Sequence, residues 1–292
     1  MQRLSEAAFQ TLNYLLFTCF MLLCIYPFYY IFIYSISDPA EAAKGLLLLP
    51  KGVTFQSYSS MFQLDNIKQA FVVSTLRTIV GTAVTVFCCT MFGYVLTKDK
   101  MILRKTFYRI LIATMYLNAG LIPWYLTMKA YSLGNSFLLY ILPSAIVAFY
   151  VVLIKTFMEQ LPAALEESAM MDGAGYPTIF FKIVFPLSIP IVATIAVFCA
   201  VNQWNTWTDN YFLVSTEKLQ TLQLTLLHYL RESESIASQS TMDLTRQGSQ
   251  IRITPSTIRM TITMIVTLPI LLVYPFLQRY FVKGIMLGAV KG

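Results

Sequence analysis

Residues 183–208 read IVFPLSIPIVATIAVFCAVNQWNTWT and contain no Asp, Glu, Lys or Arg. A helix rises about 1.5 Å per residue, so a helix of this length crosses the roughly 30 Å hydrocarbon core of a bilayer. In lipid, an exposed backbone satisfies its N–H and C=O groups only within a helix or a closed barrel. A barrel would show short alternating strands instead of this continuous apolar run. The stretch therefore predicts a transmembrane helix.

The whole chain has 292 residues, of which 57% are hydrophobic and 12% are charged, and its mean hydropathy is +0.64. This composition excludes a soluble enzyme and an intrinsically disordered protein. Five further stretches of nineteen residues or more also lack charged residues, namely 7–37, 78–97, 110–128, 130–154 and 260–278. We therefore predict an all-α polytopic membrane protein with a single domain over 1–292, whose six transmembrane helices lie at about 12–36, 71–97, 107–127, 137–157, 183–206 and 257–281.

Basic residues predict the orientation, since Lys and Arg are retained on the cytoplasmic side more often than they are translocated. The densest basic run lies between the second and third predicted helices and comprises Lys98, Lys100, Arg104, Lys105 and Arg109. A cytoplasmic position for this loop places both termini and residues 158–182 in the cytoplasm as well. The first apolar stretch is longer than a signal-peptide core and lacks a small-x-small cleavage site, so we expect it to be retained. The net charge of +7 is no argument for nucleic-acid binding.

On this topology the longest outer loop covers 207–256. It contains the apolar run 222–230, which has helical length but is too short to span a bilayer, and we predict a partly buried outer helix there. The stretch 233–245 that follows is rich in Ser, Thr and Gln, which is typical of a mobile loop.

A polar connection between the fourth and fifth predicted helices, named here the bent segment, covers residues 158–182. Pro162 suits the first turn of a helix, and the Ala, Leu, Glu and Met residues after it favour helical structure. Gly173 supplies a residue that adopts the left-handed conformation at a helix end, and Pro177 offers a second helix start. The sequence predicts two short helices that meet at a glycine bend.

The first of these two helices is expected to present Leu165 and Ala169, four residues apart, on one small apolar face. Two interpretations of the bent segment fit its composition. It is a knob that inserts into a groove on another protein, or it is a connector that lies flat on the lipid surface. A surface-lying helix normally carries larger apolar residues and more Lys or Arg on its polar side, whereas the polar side here is acidic.

A spaced motif begins in the bent segment and ends at the start of the fifth predicted helix. It reads Glu167-Ser168-Ala169, then three residues, Gly173, nine residues, and Ile183-Val184-Phe185-Pro186. This pattern resembles the EAA signature of the membrane subunits of ABC importers, in which Glu-Ala-Ala, Gly and Ile-x-Leu-Pro recur at the same separations. Ser168 in place of the middle Ala and Phe185 in place of Leu are departures that leave the spacing unchanged.

The resemblance extends along nearly the whole chain to the permeases of carbohydrate importers, particularly the lipoprotein-and-complex-oligosaccharide type of Gram-positive bacteria. The supporting stretches are 49–58 (LPKGVTFQSY), 120–123 (GLIP) and 274–284 (YPFLQRYFVKG). The resemblance implies the type I ABC importer permease fold, a multi-pass position in the bacterial plasma membrane, and uptake of a sugar, with an oligosaccharide as the expected substrate.

The same resemblance implies a set of partners. They are a second permease subunit, two cytoplasmic ATPase subunits and an extracytoplasmic solute-binding protein; we expect the permease pair to be a heterodimer, although the sequence leaves a homodimer open. In the family, the knob docks into a cleft of the ATPase. The residues that would carry this coupling are Glu166, Glu167, Ala169, Asp172 and Gly173. An alternative for Asp172 is a hydrogen bond to its own loop at the end of the helix.

No Gly-x-x-x-x-Gly-Lys-Ser/Thr stretch occurs in the sequence, so the chain itself is not expected to hydrolyse ATP. The only histidine, His228, lies in the apolar run 222–230, where a packing or surface role is more common than catalysis. The five cysteines all fall within the uncharged stretches, which favours small buried hydrophobic residues over metal ligands or disulfides. We expect no cofactor and no metal.

A path for sugars needs aromatic surfaces and hydrogen-bonding groups without strong fixed charge. The outer end of the fifth helix and a tyrosine-rich part of the first helix around Pro27 both offer these, and the candidate residues are Asn202, Trp204, Asn205, Asp209 and Tyr30. Trp and Tyr also gather at membrane interfaces whatever the function, which is the competing interpretation for the aromatic residues. Buried amides and carboxylates at lipid depth usually face a cavity or a partner helix. Arg77 and Arg259 are interpreted as interface anchors.

Other function classes are also open. A permease of the same importer class for a solute other than a sugar shares every feature above except the sugar-branch stretches. A secondary transporter should place ionisable residues at helix centres, but the six predicted helices have uncharged centres. A membrane scaffold would not need the bent segment.

Overall fold

The computed structural model describes residues 2–42, 44–45, 48–239 and 255–289. Within these ranges it is helical and contains no strand. The α-helices, in chain order, are α1 (Gln2–Ile36), α2 (Pro39–Ala42), α3 (Gln56–Gln63), α4 (Asp65–Thr97), α5 (Arg104–Tyr116), α6 (Leu121–Ala130), α7 (Ala148–Met158), α8 (Ala163–Met171), α9 (Tyr176–Ile179), α10 (Phe185–Leu187), α11 (Ile189–Asn205), α12 (Thr208–Leu213), α13 (Leu222–Gln239) and α14 (Pro255–Ala289). Short 3₁₀ turns occur at Phe137–Tyr140, Leu142–Ser144 and Glu217–Leu219, and a π-helical turn occurs at Phe180–Val184.

Three helical stretches are long and apolar enough to cross a bilayer, namely Phe9–Ile36, Asp65–Thr97 and Ser256–Val273. Two bent pairs pass the same test together: Phe137–Ser144 with Ala148–Met158, bent by 47°, and Tyr176–Leu187 with Ile189–Asn205, bent by 78°. The described residues thus provide three to five candidate spans. The predicted all-α class is confirmed, and the predicted number of six spans stays a prediction.

The sharper bend has a local cause. It follows the π-helical turn and falls at Ser188, between Pro186 and Pro190. Proline lacks an N–H group and its ring clashes with the preceding helical turn, and π-turns also interrupt the regular hydrogen-bond ladder. The uncharged stretch 183–208 therefore contains a short helical arm, a bend and the helix α11.

The predicted third transmembrane helix, 107–127, is interrupted in the structure between α5 and α6. The Asn118 side chain accepts a hydrogen bond from the N–H of Gly120 at 2.9 Å, which closes a local turn that competes with the helical ladder. Gly120 has φ of +80°, a conformation that glycine adopts without steric cost. The uncharged stretch 110–128 therefore contains a turn, because Asn118 and Gly120 both favour one.

The described residues form two compact units, the first drawn from Met1–Ile67 and Leu226–Pro269 and the second from Lys68–Thr225 and Ile270–Gly292. In the first unit, Ile33, Tyr34 and Ala42 form a small buried cluster against Tyr30 and Met260. The second unit holds the larger core, whose buried members are Cys89, Tyr94, Leu96, Leu111, Val151, Ile154, Met158, Ile179, Phe180, Val184 and Ile195.

Close approach of α4 and α7 in the second unit depends on Gly93. A Cβ atom at this position would lie 3.0 Å from Cγ2 of Ile154, which is tighter than an ordinary van der Waals contact. Small residues commonly allow this approach between membrane helices, where packing replaces the hydrophobic driving force.

The predicted helix over 222–230 is confirmed, and Leu222 and Leu224 are buried within the second unit. The helix continues to Gln239, so the prediction of a loop is wrong for 233–239. The rest of that predicted loop, 240–245, lies outside the described residues.

Candidate functional site

The bent segment has the predicted form of two short helices with a glycine bend. The helix α8 follows Pro162 and ends at Met171, and Gly173 has φ of +79°. The N–H of Ala174 donates to the carbonyl of Ala169 at 2.9 Å, and that of Gly173 donates to Met170 at 3.0 Å. These two bonds form a Schellman motif, which satisfies the last carbonyl groups of the helix.

The predicted coupling residues face two directions. Glu167, Asp172 and Gly173 are exposed, whereas Glu166 and Ala169 are partly buried against the rest of the second unit. The predicted exposed apolar face of Leu165 and Ala169 therefore does not form, because Ala169 is partly buried. The most exposed of the large apolar residues of α8 is Met171 at its tip, with 88% of its surface accessible, four residues after Glu167 on the same side of the helix.

The inward side of the bent segment contacts the end of α4. Glu166 forms an ion pair with the ammonium group of Lys98, which also lies 4.1 Å from the centroid of the Tyr94 ring. The Tyr94 ring in turn packs against Phe180 at 5.1 Å between centroids. Sequence reasoning missed Lys98 and Tyr94, because a contact across 68 residues leaves no local pattern.

A second polar site lies where α4 meets the end of α11 and the start of α12. Arg77 Nη2 donates to Asp209 Oδ2 at 2.6 Å and Nη1 donates to Oδ1 at 3.1 Å, which is the bidentate geometry of a strong ion pair. Arg77 also donates from Nε to Gln203 Oε1 at 3.1 Å and from Nη1 to the carbonyl of Thr206 at 3.0 Å. The interpretation of Arg77 as an interface anchor is wrong, since only 2% of its surface is exposed.

The network around this ion pair continues through Gln203. Its Nε2 group donates to the carbonyl of Tyr140 at 3.2 Å and to Ser144 Oγ at 2.8 Å. The absence of a side chain at Gly81 is needed here, because a Cβ atom there would lie 2.7 Å from Nε2 of Gln203. The two 3₁₀ turns that precede α7 are thus tied to both α4 and α11.

Asn210 extends the same network to the chain that follows α12. Its Nδ2 group donates to the Tyr140 hydroxyl at 2.6 Å, and that hydroxyl donates to the carbonyl of Leu219 at 2.6 Å. The Oδ1 atom of Asn210 accepts from the N–H of Thr221 at 3.0 Å. Each buried polar group named in this network has a partner, as expected for polar groups away from water.

A cavity of about 90 Å³ opens beside the ion pair. Its lining residues include Arg77, Trp124, Tyr140, Asn202, Gln203, Thr206 and Asp209. The structure therefore brings two of the predicted path residues, Asn202 and Asp209, to one cavity. Asn202 is exposed, and Asp209 is committed to Arg77.

The other predicted path residues lie elsewhere. Trp204 is buried edge-on against Phe71, with 6.2 Å between ring centroids, and Asn205 accepts a hydrogen bond from Gln223 at 3.1 Å on an exposed surface. Tyr30 belongs to the first unit, where its ring lies between those of Tyr26 and Tyr34 at 6.3 Å and 5.9 Å.

Within the part of the chain that the structure describes, no three His, Cys, Asp or Glu side chains come together as metal ligands. The apolar helices and the polar network between them define a polytopic membrane protein in which two sets of polar contacts lie along or directly after one long helix, α4.

Comparison with known proteins identifies the class further, although no family model matches the chain. The chain is 35% identical to the polygalacturonan/rhamnogalacturonan transport system permease protein YtcP of Bacillus subtilis. The aligned 285 residues cover 97% of this chain and 98% of YtcP. The chain is 36% identical to protein LplC of the same organism, over 92% of this chain and 90% of LplC.

A solved structure has the same fold. The crystal structure of a bacterial ABC transporter involved in the import of the acidic polysaccharide alginate matches 95% of this chain and 98% of the compared chain, with a TM-score of 0.85 and 28% sequence identity. This chain belongs to the permease subunits of ABC transporters, in their carbohydrate-uptake branch. Permeases of this family are not themselves enzymes.

Proposed function

We propose that this chain forms half of the translocation path of an ATP-driven importer for an oligosaccharide, and that its bent segment docks on a separate cytoplasmic ATPase. The family supports a sugar importer. Similar permeases are named for polygalacturonan and rhamnogalacturonan and for arabinooligosaccharides, so sugars of more than one unit are the substrate class that the relatives favour.

The geometry of the bent segment is the observation that carries the docking proposal. Its tip exposes Glu167, Met171 and Asp172 beside Gly173, and a Cβ atom at Gly173 would meet nothing within 4 Å. An apolar side chain between two carboxylates fits a groove lined with basic residues, because charge-assisted hydrogen bonds would surround a small buried contact. Docking requires the bent segment to be cytoplasmic, and with six spans the loop 98–109 and both termini would lie on the same side.

The remaining partners follow from the family's mode of assembly. We propose a second permease subunit that completes the path, most simply as a heterodimer, two ATPase subunits, and an extracytoplasmic binding protein that delivers the sugar. Several large apolar side chains of α1 face outward, among them Phe9, Phe17 and Phe20. Such a surface suits lipid or a partner subunit.

For the path itself, we propose that Asn202 contacts the substrate and that Asp209 acts by holding Arg77. The amide of Asn202 lines the cavity beside the ion pair, and an amide both donates to and accepts from sugar hydroxyls. Trp204 and Asn205 do not line that cavity. Trp204 packs against Phe71, and Asn205 accepts the hydrogen bond from Gln223. Tyr30 stays a proposed aromatic surface of the path.

The docking proposal is tested at Gly173. Gly173→Arg places a long charged side chain at the tip, and Gly173→Ala is the matched control, because both residues carry the penalty of a positive φ of about 1–2 kcal/mol but only Arg blocks close approach. We expect the Arg variant to insert in the membrane and to lose substrate-stimulated ATP hydrolysis in the reconstituted importer. The Ala variant should keep most of that stimulation.

Normal stimulation in Gly173→Arg would overturn the assignment of the bent segment. An equal loss in Gly173→Ala would assign the effect to backbone strain instead of docking. Copurification of the ATPase with each variant separates failed docking from failed insertion.

A further inference from the structure

The inner end of α4 contacts both arms of the bent segment. Glu166 on α8 pairs with Lys98, the residue directly after the last residue of α4. Phe180, directly after α9, packs on Tyr94, which precedes Lys98 by four residues and so lies one helical turn away. The last turn of α4 and the residue after it thus contact both short helices of the bent segment, one on each side of the glycine bend.

These contacts are shielded from water. The Lys98 and Glu166 side chains are 17% and 23% exposed, and the Tyr94 and Phe180 residues are 4% and 3% exposed. An ion pair in this setting is screened less by solvent than an exposed pair. The ammonium group of Lys98 also sits over the face of Tyr94, where the ring quadrupole attracts a cation.

The outer part of α4 carries the buried polar network. The helix runs without interruption from Asp65 to Thr97, and Arg77, with its ion pair to Asp209, lies about 30 Å from Lys98 at 1.5 Å per residue. A continuous helix transmits displacement along its axis because its hydrogen bonds resist compression. One rigid element therefore joins the bent segment to the cavity beside Asn202.

We propose that the Lys98–Glu166 pair, seated on the Tyr94 ring, is the positioning contact through which the bent segment moves α4 when the ATPase closes. This inference rests on the proposed docking of the bent segment. Without the pair, α8 is joined to the end of α4 through apolar core contacts such as that of Ala169, and the second arm through Ile179 and Phe180. ATP hydrolysis then continues, but less of the movement reaches the outer network.

The chain offers a matched control for this pair. Lys155 forms an ion pair with Glu159 at 2.7 Å, and its ammonium group lies 4.5 Å from the centroid of the Tyr108 ring. The chemistry is the same, but Lys155 lies on α7 and Tyr108 on α5, and Glu159 also pairs with Arg104 at 3.3 Å, so this pair joins the end of α7 to α5. It does not tie α8 to the end of α4.

The experiment uses the complete importer, with its ATPase and binding protein, in proteoliposomes. The measured quantity is the number of labelled oligosaccharide molecules taken up per ATP hydrolysed. We expect Lys98→Met and Glu166→Gln each to lower this ratio by about three- to tenfold, within the range of coupling effects that single residues produce. The double variant should lower the uptake per ATP no further than either single variant, because each single variant and the double variant remove the same contact.

Two further variants define the outcome. Lys98→Arg keeps the charge and stacks on an aromatic ring, so it should retain most of the transport per ATP. Lys155→Met should leave the ratio unchanged. An unchanged ratio in Lys98→Met and Glu166→Gln, or losses that multiply in the double variant, would overturn the proposal.

The assay also separates this inference from the proposed function. Uncoupling in Gly173→Arg together with normal coupling in Lys98→Met rejects only the positioning contact. Normal coupling in Gly173→Arg rejects the docking itself. Loss of the copurified ATPase in Lys98→Met would show a role in docking rather than in transmission and would also overturn the inference.

Discussion

The ion pair between Arg77 and Asp209 gives a sharp prediction about stability. Arg77→Met removes four hydrogen bonds and leaves the carboxylate of Asp209 buried without its counter-charge. Breaking a buried pair in this way costs about 3–5 kcal/mol of the free energy of unfolding. The backbone N–H of Asn210 still donates to Asp209, but one hydrogen bond does not replace a guanidinium group.

A second substitution should restore part of that loss. In Arg77→Met with Asp209→Asn, neither residue is charged, and the Asn side chain can still accept from the N–H of residue 210. The acceptors that remain without Arg77 are Gln203 Oε1 and the Thr206 carbonyl, so the double variant should cost about 1–3 kcal/mol. Removing the second charge should therefore make the double variant more stable than the single variant.

The measurement is SDS titration of the purified protein in mixed micelles, followed by loss of helicity by circular dichroism. Arg77→Lys is a useful comparison, since it keeps the charge but loses the bidentate fork. A cost below about 1 kcal/mol for Arg77→Met, or a double variant less stable than the single one, would refute the reasoning. Either result would mean that Asp209 is hydrated well enough to need no partner.

The remaining predictions concern the path and the topology. Asn202→Ala should slow uptake of labelled oligosaccharide into proteoliposomes about two- to tenfold with basal ATPase activity intact, because one hydrogen bond to a sugar hydroxyl contributes about 0.5–1.5 kcal/mol, whereas Asn205→Ala should change uptake little. Equal effects of the two would place the path away from the cavity. Cysteines introduced at positions 100 and 170 of a variant without native cysteines should resist membrane-impermeant labelling from outside; labelling there would reverse the proposed orientation.

The sequence by itself determined the class of the fold and one local structure. Uncharged stretches such as 183–208 require helices in lipid, because the backbone has no other hydrogen-bond partners there. The bent segment could be read locally as well, since Pro162 and Gly173 act on adjacent residues through φ and the helix end. The resemblance to the ABC importer permeases began from the motif in and after this segment and extended to 49–58, 120–123 and 274–284, and comparison along the whole chain confirmed it.

Two apolar stretches contain residues that favour a turn or a bend, but the hydrophobicity of each stretch predicted an unbroken helix. The turn at Asn118 and Gly120 lies inside an apolar stretch, and hydrophobicity alone does not reveal that a side chain replaces the helical hydrogen bond there. The bend at Ser188 depends on two prolines and a π-helical turn acting together. In both cases the uncharged run is helical over most of its length, but it does not form the one straight helix that its length predicts.

Only the tertiary structure decided which charged and polar residues meet. Arg77 looked like an interface anchor and Asp209 like a path residue, and the fold joins them across 132 positions of the chain. Lys98 looked like one of several topology-setting cations, and the fold places it between Glu166 and the ring of Tyr94. Hydropathy follows from the free energy of transfer of each side chain between water and lipid, so it can be calculated from the sequence alone. A buried ion pair depends on how two distant segments are packed, and no property of either residue alone contains that distance.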